Sequence, residues 1–142
     1  MPDIRHLLRI NATAENVYSA ITTQEGLSGW WCSDTKAKPE QGSVARFTFG
    51  PEYFKEMKIT QLKPATLVKW LCITGYEEWI GTTIIFKLQS DGISTTLTFQ
   101  HDNWKDYTEE FAACSYHWAL FLRSLRLLCE TGKGLPSPNQ LQ

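Results

Sequence analysis

The chain has 142 residues, of which 42% are hydrophobic, and a formal net charge of −1 at pH 7. That length and composition suit one domain with its own core, and the near-neutral charge argues against a nucleic-acid-binding protein. No apolar run approaches the roughly 20 residues of a membrane span, and the N-terminal sequence MPDIRHLLRI lacks the pattern of a secretory signal. We therefore expect a cytoplasmic protein that binds neither nucleic acid nor a membrane.

The first predicted elements are a strand and two short helices. Ile4 to Ile10 (IRHLLRI) has the composition of a strand. Thr13 is a suitable N-cap residue for a first helix, and residues 24–31 add a second helical turn. Residues 32–42 are polar and contain a proline, so we interpret them as a loop.

From Ser43 onward the hydrophobic period changes from that of a helix to that of a strand. Five segments with alternating apolar residues follow, and they are 43–49, 53–62, 67–74, 79–89 and 93–101. The Asp91-Gly92 pair between the last two is typical of a hairpin turn. Because strands joined by such short turns pair antiparallel, the sequence predicts a five-stranded meander with one apolar face.

One long helix is predicted at the end of the chain, from Asp106 to Thr131. Apolar or small residues recur there in steps of three and four, at Phe111, Cys114, Ser115, Trp118, Leu122, Leu125 and Cys129. We expect Asp106 and Glu109 to cap its start and Gly132 to end it. Such a helix would be about 36 Å long and could cross a whole sheet. Residues 136–142 are predicted to form a flexible tail.

Several short motifs accompany this order of elements. They are Val17-Tyr18, the Trp30–Trp31 pair, Trp79-x-Gly81-Thr82, Phe99-Gln100-His101 with Trp104, and Tyr116, Trp118, Leu125 and Glu130-Thr131-Gly132 in or after the last helix. With these motifs the chain resembles the START-like (SRPBCC) superfamily, and within it the heat-shock-protein-90 ATPase activator-like family. The resemblance implies an α+β helix-grip fold, in which a curved antiparallel sheet wraps around the C-terminal helix. A single START-like domain would then cover residues 1–135.

A sheet curved over a helix leaves a cleft that can bind a small apolar molecule. Aromatic residues make up 13% of the chain, and we predict that they dominate the lining of this cleft. The predicted lining is Trp31, Phe47, Phe49, Met57, Trp70, Phe86, Phe99, Phe111, Tyr116 and Trp118, with the small residue Ser115 leaving space beside Trp118. The alternative is that the same side chains fill a closed core.

His101 is the polar residue of most interest, because alternation places it on the inner face beside Phe99. It could move a proton or orient a bound carbonyl, whereas a buried histidine bonded to its neighbours is the structural alternative. No nucleophile–base motif, phosphate loop or dinucleotide fingerprint accompanies it. The helix-grip fold hosts binding proteins, cyclases and co-chaperone domains alike, so the fold does not specify the function.

Three functions are compatible with these residues. We favour a binding protein for a small hydrophobic or aromatic ligand over an enzyme. The alternatives are a cyclase- or hydrolase-like enzyme that uses His101 and Tyr116, and a co-chaperone-like protein-interaction module. The spacing of the four cysteines and three histidines is not typical of a metal or redox site, so we predict reduced thiols, no metal and no cofactor. The oligomeric state is open, with a homodimer as one option.

Overall fold

The computed structural model of the protein describes residues 2–142. Its elements in chain order are β1 (Ile4–Ile10), α1 (Ala14–Thr22), α2 (Gln24–Trp30), β2 (Asp34–Lys36), β3 (Val44–Thr48), β4 (Phe54–Lys63), β5 (Leu67–Thr74), β6 (Thr83–Ser90), β7 (Thr95–Asp102), α3 (Glu109–Thr131) and a 3₁₀ turn (Asn139–Leu141). Among these described helices, none is both long and apolar enough to span a bilayer. Residues 2–142 also contain no group of three or more histidine, cysteine or acidic side chains placed to hold a metal ion.

The strands form one antiparallel sheet in the order β1-β7-β6-β5-β4-β3-β2. The five consecutive strands from β3 to β7 are the predicted meander, which is confirmed. The first strand joins its far edge, since β1 pairs with β7 from Ile4 opposite His101 to Ile10 opposite Thr95. The α+β helix-grip fold is therefore confirmed as well.

The segment predicted to be a loop, residues 32–42, contains the short strand β2. Its three residues pair with β3, and Thr35 lies opposite Phe47. The buried Thr35 hydroxyl donates a hydrogen bond to the Cys32 carbonyl. Three residues are too few for alternation to be recognised in a sequence, so the pairing with β3 defines this strand.

The long helix begins later than predicted. Thr108 is the N-cap residue of α3, and its side-chain oxygen accepts a hydrogen bond from the Phe111 amide at 3.1 Å. Asp106 instead accepts a hydrogen bond from the amide of its neighbour Tyr107, so the predicted Asp106 cap is wrong. The predicted end is confirmed, because Gly132 adopts the left-handed conformation with φ of 88° after the last helical residue.

The hydrophobic core lies between the inner face of the sheet and the three helices. Alternation along the central strands buries Ala45, Phe47, Met57, Ile59, Val68, Trp70, Ile84, Phe86, Leu97 and Phe99. From the other side, α3 contributes a stripe with the helical period, which includes Trp118, Leu122 and Leu125. Within this core the Ser124 hydroxyl donates a hydrogen bond to the Trp30 carbonyl at 2.8 Å, whereas the indole N–H groups of Trp79 and Trp104 have no partner among the described residues.

The C-terminal segment packs against the domain, where the sequence predicted a flexible tail. The Leu135 amide donates to the Ser124 hydroxyl at 2.6 Å, and the Ser137 amide donates to the Trp31 carbonyl at 2.8 Å. Arg123 in α3 donates to the carbonyl of Gln140 at 3.0 Å. The segment has few apolar residues, so its hydrophobic pattern does not predict that it packs against the domain. It is held in place by hydrogen bonds of its backbone groups.

Candidate functional site

A cavity of about 510 Å³ lies between the first half of α3 and one end of the sheet, and it is partly open to solvent. Its lining comes from the end of α2, the β3–β4 hairpin, the β5–β6 connection, α3 and the C-terminal segment. The lining residues are Trp31, Phe49, Tyr53, Lys55, Tyr76, Trp79, Glu110, Ala113, Cys114, His117, Trp118, Phe121, Ser137 and Gln140. Sites for small molecules commonly have volumes of roughly 300–1,000 Å³, so this cavity has a suitable size.

The helical period explains which part of α3 borders the cavity. Residues three and four apart lie on one side of a helix, and the lining residues Glu110, Ala113, Cys114, His117, Trp118 and Phe121 follow that spacing. Ala113 and Cys114 are small, and they leave space between the helix and the opposing loops. The first half of α3 therefore forms one wall of the cavity.

Lys55 is the charged residue at the inner wall of the cavity. It lies on β4 and shares the inner face with Met57 and Ile59, because residues two apart on a strand point to the same side. Only 7% of its surface is exposed. Lysine is rarely buried in a protein unless its ammonium group is paired with an acidic group. The groups that surround the Lys55 ammonium therefore have to be identified.

Four aromatic rings surround the Lys55 ammonium. Its Nζ lies 4.3 Å from the ring centroids of both Phe49 and Trp79. The ring centroids of Tyr53 and Tyr76 are 5.0 and 5.2 Å away. All four distances are within the range of a cation–π interaction, which is about 6 Å. We call these four rings the aromatic cage.

The Lys55 ammonium has no acidic partner within residues 2–142. The ion pairs of the described residues are Arg5–Asp3 and Arg9–Asp91, and both are at the surface. Burial lowers the pKa of Lys55 from 10.5 to about 8, although nearby groups that include Glu110 oppose this shift. The aromatic cage thus holds an amine whose N–H donors lack a carboxylate and face a cavity.

His101 lies behind the cavity wall in a closed hydrogen-bond network. The Thr82 hydroxyl donates its hydrogen to the Trp79 carbonyl. In its contact with His101 Nε2 at 2.8 Å the Thr82 oxygen is therefore the acceptor, and Nε2 is the donor. The indole N–H of Trp118 donates to His101 Nδ1 at 3.0 Å. His101 is therefore the neutral Nε2–H tautomer, and burial lowers its pKa to about 3. Its role in this network is to orient Trp118, which forms part of the cavity wall.

The sequence family follows from a match over most of the chain. The family model described as Activator of Hsp90 ATPase homolog 1-like protein matches residues 11–130. The chain belongs to this family. No curated protein matches the chain.

Solved structures of similar fold agree with the family assignment. The solution structure of the Aha1 dimer from Colwellia psychrerythraea shares 38% sequence identity and a TM-score of 0.86, over 94% of this chain and 100% of that chain. DynU16, a protein from the dynemicin biosynthetic locus, shares 21% identity and a TM-score of 0.76, over 93% and 48% of the two chains. A Bacillus halodurans protein shares 22% identity and a TM-score of 0.74, over 92% and 98%. The last two matches show the fold alone.

In this member of the Hsp90 ATPase activator-like family, the predicted lining residues divide into two groups. Trp31, Phe49 and Trp118 border the cavity. The other inner-face residues lie in the packed core beneath it, each at most 1% exposed, and they are Phe47, Met57, Trp70, Phe86 and Phe99. The two groups are in direct contact, since the Trp31 ring lies 4.5 Å from the Phe47 ring and the Trp118 ring lies 4.5 Å from the Phe99 ring. The Trp31 ring, 5.2 Å from that of Trp118, occupies part of the space in which the sequence predicted a cleft bounded by Trp118, Phe99, Phe86 and Phe47.

Three predicted residues of the last helix lie outside the cavity. The Ser115 hydroxyl and carbonyl contact His6 of β1, on another side of α3. Tyr116 is 59% exposed, because each residue of a helix is rotated by about 100° from the one before it. Phe111 packs edge-on against Trp104, with ring centroids 5.3 Å apart. The space beside Trp118 is therefore left by Ala113 and Cys114.

The lining residues that were not predicted from the sequence are Tyr53, Lys55, Tyr76, Trp79, Glu110, Ala113, Cys114, His117, Phe121, Ser137 and Gln140. A signal existed for Lys55, because it occupies the apolar phase of β4 together with Met57 and Ile59. A charged residue in that phase is a candidate functional residue. The loop residues of the aromatic cage give no such signal, since turns have no regular phase.

Proposed function

We propose that this protein binds a small hydrophobic or aromatic ligand in the cavity between α3 and the sheet. The observation that supports this is the cavity of about 510 Å³, with Trp31, Phe49, Trp118 and Phe121 among its walls. Aromatic side chains offer large apolar contact areas to a ligand, and they also stack on flat ligands.

The aromatic walls are held in place before any ligand enters. Trp31 stacks on Trp70, with ring centroids 5.8 Å apart and an interplanar angle of 15°. Trp118 is fixed by its hydrogen bond to His101 at 3.0 Å. Rigid walls favour binding, because little side-chain entropy is lost when the ligand arrives.

The geometry supports a binding protein over the enzyme that uses His101 and Tyr116. Both nitrogen atoms of His101 are occupied by Trp118 and Thr82. Its pKa of about 3 keeps it neutral near pH 7, and it does not border the cavity. Tyr116 is on the exposed side of α3. Neither residue lines the cavity.

A neutral naphthalene derivative, 2-naphthylacetamide, is a suitable probe for this proposal. We expect saturable binding with one site per chain in calorimetry, together with a change in tryptophan fluorescence and a rise in Tm by mass action. The variant Ala113→Trp should fill the cavity and lower the affinity at least tenfold. Ala112→Trp is the matched control, because Ala112 is the neighbouring exposed alanine of the same helix and, unlike Ala113, does not border the cavity.

The proposal is overturned if the wild-type protein shows no saturable binding, or if Ala113→Trp binds the probe as well as Ala112→Trp does. Circular dichroism of both variants checks that α3 is intact. Because both substitutions are the same change in adjacent positions, a general effect of tryptophan on the helix would lower the affinity in both.

We also propose that the protein assembles as a homodimer. The support is the similar protein from Colwellia psychrerythraea, which was solved as a dimer and shares 38% sequence identity with this chain. Sedimentation equilibrium should give twice the chain mass of 16.3 kDa. A single species with the chain mass over the micromolar concentration range would contradict this proposal.

A further inference from the structure

We propose that the ligand is a small carboxylic acid with an aromatic or apolar body, and that Lys55 binds its carboxylate. This inference rests on the proposed binding function and specifies the polar end of the ligand. The apolar body would lie against the walls formed by Trp31, Trp118 and Phe121, all of which border the same cavity as Lys55.

The first support is the lack of an acceptor for the Lys55 ammonium. An ammonium group carries three N–H donors and has no acceptor of its own. Within residues 2–142 it takes part in neither of the two ion pairs, Arg5–Asp3 and Arg9–Asp91. Lys55 Nζ is not among the fully buried side-chain atoms of the described residues that lack a partner, so water in the partly open cavity can reach it. A ligand oxygen in the cavity can take the place of that water as an acceptor.

The second support is that the aromatic cage fixes the position of the ammonium without using an acceptor. The rings of Tyr53 and Tyr76 are stacked, with centroids 4.5 Å apart. The Tyr53 hydroxyl accepts a hydrogen bond from the Tyr76 amide at 3.1 Å. Ring faces attract a cation through their quadrupole, but they do not neutralise its charge. The cage therefore orients a positive charge that is still available to an anion.

The third support is the charge state of the groups around Lys55. Burial raises the pKa of Cys32, Cys114 and Tyr53, and it raises that of Cys72 to about 11. His101, with its pKa of about 3, is also neutral at pH 7. Tyr76 contributes its ring to the cage. Lys55 is thus a positive charge among mainly neutral groups, which favours an anionic ligand.

Glu110 is the one acidic side chain in the cavity lining within the described residues. It is not within ion-pair distance of Lys55, since the pairs of residues 2–142 are elsewhere. A bound carboxylate would be repelled by Glu110, so Glu110→Gln should bind a carboxylate more tightly than the wild-type protein does. The neutral probe should not distinguish the two proteins in this way.

The test compares two probes of nearly equal shape, 2-naphthylacetate and 2-naphthylacetamide. At pH 7 the wild-type protein should bind the carboxylate at least tenfold more tightly, which corresponds to about 1.4 kcal/mol. Lys55→Met should remove this preference, because methionine keeps an apolar stem in the cage and has no charge. Lys58→Met is the matched control on the exposed face of the same strand, and it should keep the preference.

A pH series on the wild-type protein gives a test that needs no variant. Only the ammonium form of Lys55 binds the carboxylate, and its pKa is about 8 in the free protein. The affinity for 2-naphthylacetate should therefore fall as pH rises above 8, by up to tenfold per unit, while the affinity for the amide stays constant. The ratio of the two affinities removes any pH effect that both probes share.

The possible outcomes separate this inference from the proposed function. If the wild-type protein binds the amide as tightly as the carboxylate at every pH, the role of Lys55 is disproved and the cavity remains a binding site. If neither probe binds, the proposed function fails and this inference fails with it. A preference for the carboxylate that persists in Lys55→Met would place the anion at another group and overturn the inference.

Discussion

The two halves of α3 pack against the same sheet but meet different surroundings. The second half is covered by α2 and the sheet, and Gly29 lets α2 approach so closely that a Cβ atom there would lie 3.1 Å from the Leu128 side chain. The first half borders the cavity through small residues such as Ala113, and the opposing strand presents Lys55. We call the second half of α3, with the part of the sheet that it faces, the closed half, and the first half, with the cavity, the open half. The strands alternate in the same way in both halves, and the halves differ in the size and charge of the side chains.

This comparison teaches how a cavity is made without a change of fold. In the closed half, the inner-face residues Phe86 and Phe99 pack edge-on, with ring centroids 5.3 Å apart. In the open half, the charge of Lys55 prevents the same dense apolar packing, because its ammonium would be left without solvent or partner. The open region thus combines one charged residue on the inner face with two small residues on α3.

The largest expected effect concerns Trp118, which belongs to both halves. Its ring lies 4.5 Å from that of Phe99 in the closed half and also borders the cavity. Trp118→Ala should lower the free energy of unfolding by about 3–5 kcal/mol, because it removes a buried ring and leaves a void. Urea denaturation measures this loss. The nearby Tyr116→Ala should change it by less than about 0.5 kcal/mol, since Tyr116 is mostly exposed.

If Trp118→Ala costs no more than Tyr116→Ala, Trp118 contributes little to the core and the boundary between the two halves is wrong. The variant Trp118→Phe refines the comparison. It keeps most of the ring but removes the indole N–H that donates to His101 at 3.0 Å. An unpaired buried acceptor costs about 1–3 kcal/mol. The decrease in the free energy of unfolding of Trp118→Phe should therefore lie between those of Tyr116→Ala and Trp118→Ala.

A smaller effect, of opposite sign, is expected for Lys55 in the open half. Its pKa is about 8 in the folded protein, against 10.5 for an exposed lysine. The unfolded chain therefore binds more protons between these values, and stability rises with pH across that window. Lys55→Met should thus stabilise the protein by about 1–3 kcal/mol at pH 7. This gain should decline between pH 8 and pH 10.5.

Thermal denaturation of the wild-type protein and of Lys55→Met over this pH range measures the difference between their stabilities. The titration of groups that both proteins share cancels in this difference. Lys58→Met, on the exposed face of β4, should show no gain that depends on pH in this window. A loss of stability in Lys55→Met at pH 7 would mean that the cage stabilises the ammonium more than burial destabilises it.

The closed half was largely predictable from the sequence, and the open half was not. Alternation identified Phe47, Phe86 and Phe99 as inner-face residues, because every second position of a strand points the same way. Their location in a filled core, and not in a cleft, depends on where the Trp31 ring lies. The position of the Trp31 ring depends on the tertiary packing of the residues that follow α2, so it cannot be predicted from a periodic pattern in the sequence.

The cage residues show the same limit in a different way. Tyr76 and Trp79 lie in the β5–β6 connection, where no period relates sequence position to direction. They meet Lys55 because the turn folds back over β4, as the hydrogen bond between the Tyr76 amide and the Tyr53 hydroxyl shows. Lys55 itself was visible in the pattern as a charge in an apolar phase. Two of the rings around it, those of Tyr76 and Trp79, come from residues more than twenty positions away in the chain.

The smallest effect concerns the start of α3, where the open half begins. Thr108 accepts a hydrogen bond from the Phe111 amide at 3.1 Å, and its hydroxyl donates to Glu78 at 2.5 Å. Thr108→Ala should cost about 1 kcal/mol, the usual value for the loss of an N-cap side chain. Thr108→Ser should retain most of the stability, because serine offers the same oxygen. Asp106→Ala should have almost no effect, since Asp106 lies before the cap. Urea denaturation of the three variants decides between the caps, and a larger loss for Asp106→Ala would restore the helix start predicted from the sequence.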